Sequence, residues 1–389
     1  MKTVLFTLDS FQIGGVEAFV SKYCEILIAN RYKVLIIGQR FDIDNPQKLF
    51  LGCEIIIIPG TFGYGLSKRI INLFFYMRTL NDVFQQNTVD YIHFSTTWST
   101  LYSLCHWRTW RIKKIITFYG AYDLEVLSGL LEHVSIFHIL FVRLKCMLRK
   151  QMQLLALLLA DKIITFSQYS KKIITTHFST HLQNKIIIIP GYVNTDHQPS
   201  PKSGRQKIFT IVNFGRIEPR KGTDLLLLAA KKLQEEKINF KLYIASPVNY
   251  WFYYPILELY EKLNLFLTVQ FIHKVTNKQK AKLLQMADLF VMPSKDLETF
   301  GMTILESLAA AVPVLGTPSG AIPEILSKFD SRFLCKDITG DSLYQKIKWY
   351  YSLPASQKKK FRQKAIVTCN KYFSKNSVEK LILKVYTDK

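Results

Sequence analysis

Along the chain, short runs of apolar and β-branched residues alternate with longer stretches whose apolar positions recur at helical spacing. Val4 to Leu8, Val34 to Ile37, Glu54 to Ile58, Tyr91 to Phe94, Lys114 to Phe118, Lys162 to Phe166 and Ile186 to Ile189 predict strands. Between them, Val16 to Ala29, Leu66 to Phe84, Leu127 to Ala160 and Tyr169 to Thr176 predict helices. Strand and helix in strict alternation require crossover connections, so the strands are parallel and the fold class is α/β, doubly wound.

From His197 to Arg205 the sequence turns polar and rich in Pro, Ser and Gly, the composition of a linker. The alternation then restarts with strands at Ile208 to Phe214, Phe240 to Ile244, Val269 to Ile272, Leu289 to Met292 and Val312 to Leu315. Helices are expected at Thr223 to Glu235, Pro255 to Leu263, Lys278 to Met286 and Met302 to Ala311. The expected organisation is a Rossmann-like domain over residues 1–197, a second over 206–372, and a helix over 373–389 packing back on the first. Two such domains in series leave a cleft between the carboxyl ends of both sheets, where open α/β sheets bind ligands.

Composition narrows this picture. A chain of 389 residues exceeds the size at which a single core stops growing, about 250–300 residues, and 49% hydrophobic content suits two folded cores. The six cysteines are scattered without a Cys-x-x-Cys pair, which excludes a zinc ribbon or a disulfide framework and fits a reducing cytoplasm. Met1 to Asp9 is too short an apolar stretch for a secretion signal and reads as a first buried strand. The most apolar region, Ile136 to Ala160, is broken by Arg143, Lys145, Arg149, Lys150 and Gln151, short of the ~20 apolar residues of a membrane span.

The net charge of +23 is shared by the halves, with 21 Lys and Arg against 12 Asp and Glu through residue 195 and 31 against 17 after it. Such basicity suits an anionic surface or anionic substrates, and equally a solvated lysine-rich exterior. No nucleic-acid module accompanies it, so nucleic acid is not an expected partner. Trp107 to Arg111 with Lys113 and Lys114, and the basic apolar helix from Phe141 to Leu155, mix aromatic or apolar groups with cations as interfacial segments do. Peripheral contact with the inner, anionic face of a membrane is therefore an expectation, while a buried helix face with a solvated basic side explains the second segment equally well.

The stretch from Pro293 to Val314 is the richest in candidate chemistry. It leaves a buried strand, crosses a polar loop holding Glu298, and enters an Ala-rich helix whose free N–H groups near Gly301, Met302 and Thr303 suit an anion such as a diphosphate. Glu306 lies one turn further on, so two carboxylates can border one pocket. This segment resembles the C-terminal signature of the family-4 retaining glycosyltransferases. There, two Glu separated by seven residues are followed by a small-residue helix, a Pro-Val strand and a Gly-rich turn ending in Pro-Glu, here Thr317 to Glu324.

Asn213 to Asp224, with Gly215, Arg216 and Lys221, resembles the same family's Gly-Arg, then Lys-Gly, diphosphate element. Gly14 and Gly15 after the first strand resemble its Gly-Gly loop, Ser167 to Ser170 its Ser-rich helix start, and Pro190 to Asn194 its Pro-Asn-Gly-Val-Asp turn with Asn and Gly displaced. The resemblance spans Val4 to Glu324 and is looser in the N-terminal half.

The resemblance implies a GT-B enzyme, a hexosyltransferase that moves sugar from a UDP- or GDP-sugar to a glycan or lipid-linked acceptor with retention, in polysaccharide, lipopolysaccharide or glycolipid synthesis. It implies catalytic roles for Glu298, which would bind a donor-sugar hydroxyl, and for Arg216 and Lys221, which would stabilise the departing diphosphate. Donor contacts are implied for Gly14, Gly15, Gly215, His273, Lys274, Phe300, Gly301, Met302 and Thr303, and for Glu306 on the ribose. Tyr119 and Gly120 stand on the acceptor side. No metal or other cofactor is implied, and Asp42-Ile43-Asp44 reads as a solvated turn. Tyr119 stands where the family often has His, Ala311 where it has Gly before the Val-Pro-Val strand, and Ala321 where it has the second Gly of the later turn. A nucleotide-sugar epimerase and a non-catalytic glycan- or nucleotide-binding protein remain open beside transfer.

Overall fold

The computed structural model describes residues 1–11, 15–40, 46–59, 66–128, 136–193, 208–246, 250–273 and 275–387. They form two parallel sheets with helices on both faces of each. The first holds β1 (Thr3–Phe11), β2 (Lys33–Arg40), β3 (Glu54–Ile58), β4 (Tyr91–Phe94), β5 (Lys113–Thr117), β6 (Lys162–Thr165) and β7 (Ile186–Ile188), in the order β3-β2-β1-β4-β5-β6-β7. The second holds β8 (Phe209–Phe214), β9 (Phe240–Ala245), β10 (Val269–Ile272), β11 (Leu289–Met292) and β12 (Val314–Gly316), in the order β10-β9-β8-β11-β12. Every pairing among them is parallel.

Because successive side chains on a strand point to opposite faces, β1 feeds two cores. Val4, Phe6 and Leu8 pack with Phe19, Tyr23 and Leu27 of helix Gly15–Ala29, whereas Leu5 packs with Tyr76, Leu80 and Val83 of helix Leu66–Gln86. Strand order reverses between β1 and β4 in one sheet and between β8 and β11 in the other. At such a reversal the connecting helices leave in opposite directions and open a crevice beyond the strand ends.

Several elements differ from expectation, among them helices Ile322–Phe329, Gly340–Ser352 and Ala355–Tyr372, which the sequence reading did not name. The single helix expected from Leu127 to Ala160 is two, Tyr122–Ser128 and Ile136–Leu159. Helix Tyr250–Lys262 begins five residues before Pro255, a residue that sequence rules place at a helix start. Helix Thr97–Leu104 has no counterpart in the sequence reading. Its Ser- and Thr-rich turn is fixed from a distance: Asp9, on β1, accepts hydrogen bonds from the Ser99 amide and the Thr96 hydroxyl, both at 2.7 Å.

The last described helix, Lys375–Thr387, lies against Gly15–Ala29 of the first sheet's layer. Lys375 pairs with Glu25 at 2.7 Å, the Asn30 amide donates to Glu379, and the buried Tyr386 hydroxyl meets His93 Nδ1 at 2.5 Å.

Candidate active site

Each sheet contributes one loop system at its reversal point. In the second, β8 ends at Phe214 and the chain turns through Gly215 and Arg216 into a short turn, Pro219–Lys221. Gly222 must then adopt φ +68°, and a Cβ there would fall 1.9 Å from the Pro293 carbonyl, so only glycine lets this loop lie against the one following β11. The contact brings Lys221 to Glu298: their Nζ and Oε2 are 2.7 Å apart, and Ser294 Oγ donates to the same oxygen at 3.2 Å. Glu298 is 6% exposed, so its charge is held by these partners rather than by water.

The Glu298 loop is clamped from both domains. Gly320, at φ +57°, sits so close that a Cβ would come 2.3 Å from the Glu298 carbonyl, which accepts the Ala321 amide at 2.8 Å. From the first domain, Ser167 and Ser170 hydroxyls donate to the Thr299 carbonyl at 2.8 and 3.0 Å. Leu297 is buried and joins the first domain's core cluster, which includes Phe118 and Ala121. Phe300 is 4% exposed and rests against Phe166 and Phe373, so its ring packs at the junction of the domains.

Arg216 is not drawn to Lys221. Its guanidinium pairs with Glu218 at 2.8 Å and is more than half exposed, while the other Glu218 oxygen takes Arg220 Nε at 3.0 Å. Arg220 is buried and reaches Glu125 of the first domain at 3.9 Å, making a chain of alternating charges across the cleft. Glu306 pairs with Lys280, whose ammonium also lies 5.4 Å from the Phe214 ring centroid. Lys22, on the facing helix of the first domain, donates to the Tyr192 carbonyl. Burial depresses its amine to about 8, opposed by the charge of Glu306.

Gly301, at φ +86°, opens helix Met302–Ala309, and no side chain caps that start. Met302 and Thr303 follow it half-buried, with Thr303 Oγ1 donating to Met292 Sδ at 3.8 Å. A Cβ at Gly215 would meet nothing within 4 Å, so space remains over the end of β8. His273 follows β10 and its Nε2 lies 2.9 Å from the Tyr253 hydroxyl. Gly15 is exposed at the first turn of its helix; Gly14, Lys274 and the Asp42-Ile43-Asp44 turn lie outside the described residues. Among the described residues no three His, Cys, Asp or Glu side chains gather as metal ligands.

In the first domain the reversal point holds a cavity of about 380 Å³. Asp9, Trp98, Tyr119, Gly120, Glu125 and Arg149 are among its lining residues. Burial holds the Asp9 carboxyl above and the Tyr119 phenol well above their ordinary ranges, which makes the phenol a neutral hydrogen-bonding group. A Cβ on Gly120 would lie 2.9 Å from Glu125 Oε1 and 3.6 Å from Thr299 Cγ2. The floor of this cavity therefore adjoins the Glu298 loop directly.

Sequence reasoning gave no site role to Lys22, Glu218, Arg220, Lys280, Asp9, Glu125 or Arg149. Arg220 and Glu218 were within the quoted diphosphate element, and their charge alternation was a usable signal. Lys22, Lys280 and the cavity residues are ordinary helix or strand positions that only the packing of distant segments brings together.

Two doubly wound sheets whose reversal points face one another are the GT-B architecture. Solved structures share it over the full chain: sucrose-phosphate synthase from Thermosynechococcus elongatus is 15% identical with a TM-score of 0.80, covering 99% of this chain and 98% of that one. Anabaena HepE, solved in complex with UDP and glucose, is 16% identical with a TM-score of 0.77 and full coverage of both chains. In sequence, one subunit of the human phosphatidylinositol N-acetylglucosaminyltransferase is 25% identical over 323 residues, 81% of this chain and 61% of that protein. The chain thus matches less than two thirds of the length of the curated relatives considered first.

Residues 13–197 match the description Glycosyltransferase Family 4 and residues 194–367 match Glycosyl transferases group 1. The chain belongs to this family of glycosyltransferases.

Proposed function

We propose that this protein transfers a hexose, with retention, from a nucleotide-diphosphate sugar to the hydroxyl of a glycan or lipid-linked acceptor. The observation that carries the reading is the placement of Glu298. It is ion-paired to Lys221 in the second domain's loop system, and its neighbour Thr299 lies beside Gly120, which lines the first domain's cavity. A donor sugar held by Glu298 would stand between the nucleotide side and an acceptor in that cavity. The UDP and glucose bound by the Anabaena neighbour support the donor class.

In this reading Glu306 holds the ribose hydroxyls, and the uncapped amides at Met302 and Thr303 with Lys221 and Arg216 receive the diphosphate. As the bond from sugar C1 to phosphate oxygen stretches, negative charge grows on the leaving group. Fixed cations and amides aimed at it lower the barrier without reorganising. The acceptor oxygen bonds to C1 on the face the phosphate leaves, and its proton passes to a leaving phosphate oxygen. Because the leaving phosphate takes that proton, no His-type base is needed where Tyr119 stands beside the acceptor. Protein cations serve the diphosphate here, so the reaction proceeds without a metal.

Screening UDP- and GDP-sugars for thermal stabilisation tests the donor, since a ligand of the native state raises the melting temperature by mass action. Nucleotide release that depends on added acceptor, and that falls at least about a hundredfold in Glu298→Gln, supports transfer. Interconversion of the free nucleotide sugar, or donor binding with no turnover sensitive to Glu298, would overturn it.

A further inference from the structure

Helix Ile136–Leu159 has two unlike faces. One, through Arg149, Met152, Gln153 and Leu157, walls the cavity of the first domain. The opposite face carries Phe137, Leu140, Phe141, Leu144, Leu148 and Leu155, recurring at three- and four-residue spacing and all exposed, Phe137 to 84%. A helix of a globular protein ordinarily turns polar groups to solvent, so an apolar stripe there, interrupted by Gln151, marks a surface that meets something apolar.

The stripe is bordered by charge of one sign. At 3.6 residues per turn, Arg143 and Lys150 fall along one edge and Lys145 along the other, and the helix holds no Asp or Glu. Lys145 Nζ lies 4.1 Å from the centroid of Phe141, its stem laid along the apolar face. Helix Leu66–Gln86 of the same domain carries a second group of exposed apolar side chains. It packs, as Ile136–Leu159 does, against Thr97–Leu104, and it exposes Ile70, Ile71 and Phe74 in its N-terminal half beside Lys68 and Arg69. Both helices begin at the carboxyl edge of the first sheet, where the cavity lies. No helix among the described residues is long and apolar enough to cross a membrane.

We propose that this face docks on the surface of a bilayer bearing anionic headgroups, the apolar stripe entering the acyl boundary and the flanking cations meeting the headgroups. A second copy of the chain is a poorer occupant, because two such faces would set cation against cation with no carboxylate on the helix to pair them. Resting on the transfer reading above, the same geometry makes the acceptor lipid-borne: the helix that lies on the bilayer is the wall of the acceptor cavity.

The test is co-sedimentation of the full chain with phosphatidylcholine vesicles, with and without phosphatidylglycerol. Wild type should sediment with the phosphatidylglycerol vesicles and be released at high salt, where headgroup attraction is screened. Leu140→Glu combined with Leu144→Glu should lower the bound fraction about tenfold, and so should Lys145→Glu combined with Lys150→Glu. Unchanged circular dichroism and donor-induced thermal stabilisation show that the variants fold. Wild type left in the supernatant, variants that bind as wild type does, or a dimer that the leucine variant abolishes would each overturn the proposal. Vesicle binding is read without turnover, so a chain that binds vesicles but transfers no sugar keeps this inference and loses the one it builds on.

Discussion

The carboxylate of Glu324, in the second domain, accepts the backbone amide of Tyr169 in the first at 2.7 Å, and its other oxygen accepts the amide of Gln168 at 2.8 Å. An acid from one domain thereby satisfies orphan donors at the start of a helix in the other, while Ser167 and Ser170 of that same turn grip the loop of Glu298. Glu324→Ala should cost about 1 kcal/mol by urea unfolding and speed exchange of the Gln168 and Tyr169 amides roughly fivefold. Unaltered exchange at those two amides would show that the contact holds nothing.

Lys221 and Glu298 are both largely shielded, so neither charge is replaceable by water. Lys221→Met leaves a buried carboxylate without its cation and should destabilise the chain by about 3 kcal/mol. Adding Glu298→Gln to it removes the stranded charge and should recover more than half of the loss. A double-mutant cycle by chemical denaturation measures this, and simple additivity of the two changes would contradict the pairing.

Ala311 holds φ +59° at the end of helix Met302–Ala309, where the Val312 amide bonds Ser307 and the Ala311 amide bonds Leu308. That closing motif needs a left-handed residue, which costs an alanine about 1 kcal/mol and a glycine almost nothing. Ala311→Gly should therefore raise stability by about that amount and leave donor binding intact. Ala321 sits at φ −85°, a conformation open to any residue, so Ala321→Gly should give no gain.

His93 is buried between Thr117 and Tyr386, and desolvation lowers its imidazole to about 3 from an ordinary value of 6.5. The unfolded chain therefore takes up this proton first as pH falls. Stability from this residue is complete above pH 6.5 and declines by about 1.4 kcal/mol per unit between 6.5 and about 3. The advantage of wild type over His93→Asn should shrink by about 2 kcal/mol between pH 7 and pH 5, measured by urea unfolding. A constant difference would exclude the residue as the source of acid sensitivity.

Much of the architecture was written in local pattern. Strands Glu54–Ile58, Tyr91–Phe94, Val269–Ile272 and Leu289–Met292 and helix Thr223–Glu235 carry the boundaries their apolar runs and flanking turns imply. A strand buried on both faces must be nearly all apolar, and this is legible residue by residue. Helix Thr97–Leu104 was not, because the group that fixes its first turn, Asp9, lies some ninety residues away.

The sequence by itself determined the parallel α/β class, the two-domain organisation of repeated strand and helix, the loops that hold Glu298, Arg216 and Lys221, and the helix that holds Glu306. Tertiary structure alone decided that Lys221 turns to Glu298 and Arg216 to Glu218, that Glu324 caps a helix of the other domain, and that helix Ile136–Leu159 bares an apolar stripe beside a cavity. Propensity and periodicity depend on near neighbours along the chain. Ion pairing, capping across domains and the exposure of a helix face depend on which distant surfaces meet, and two doubly wound sheets settle that only when they close on each other.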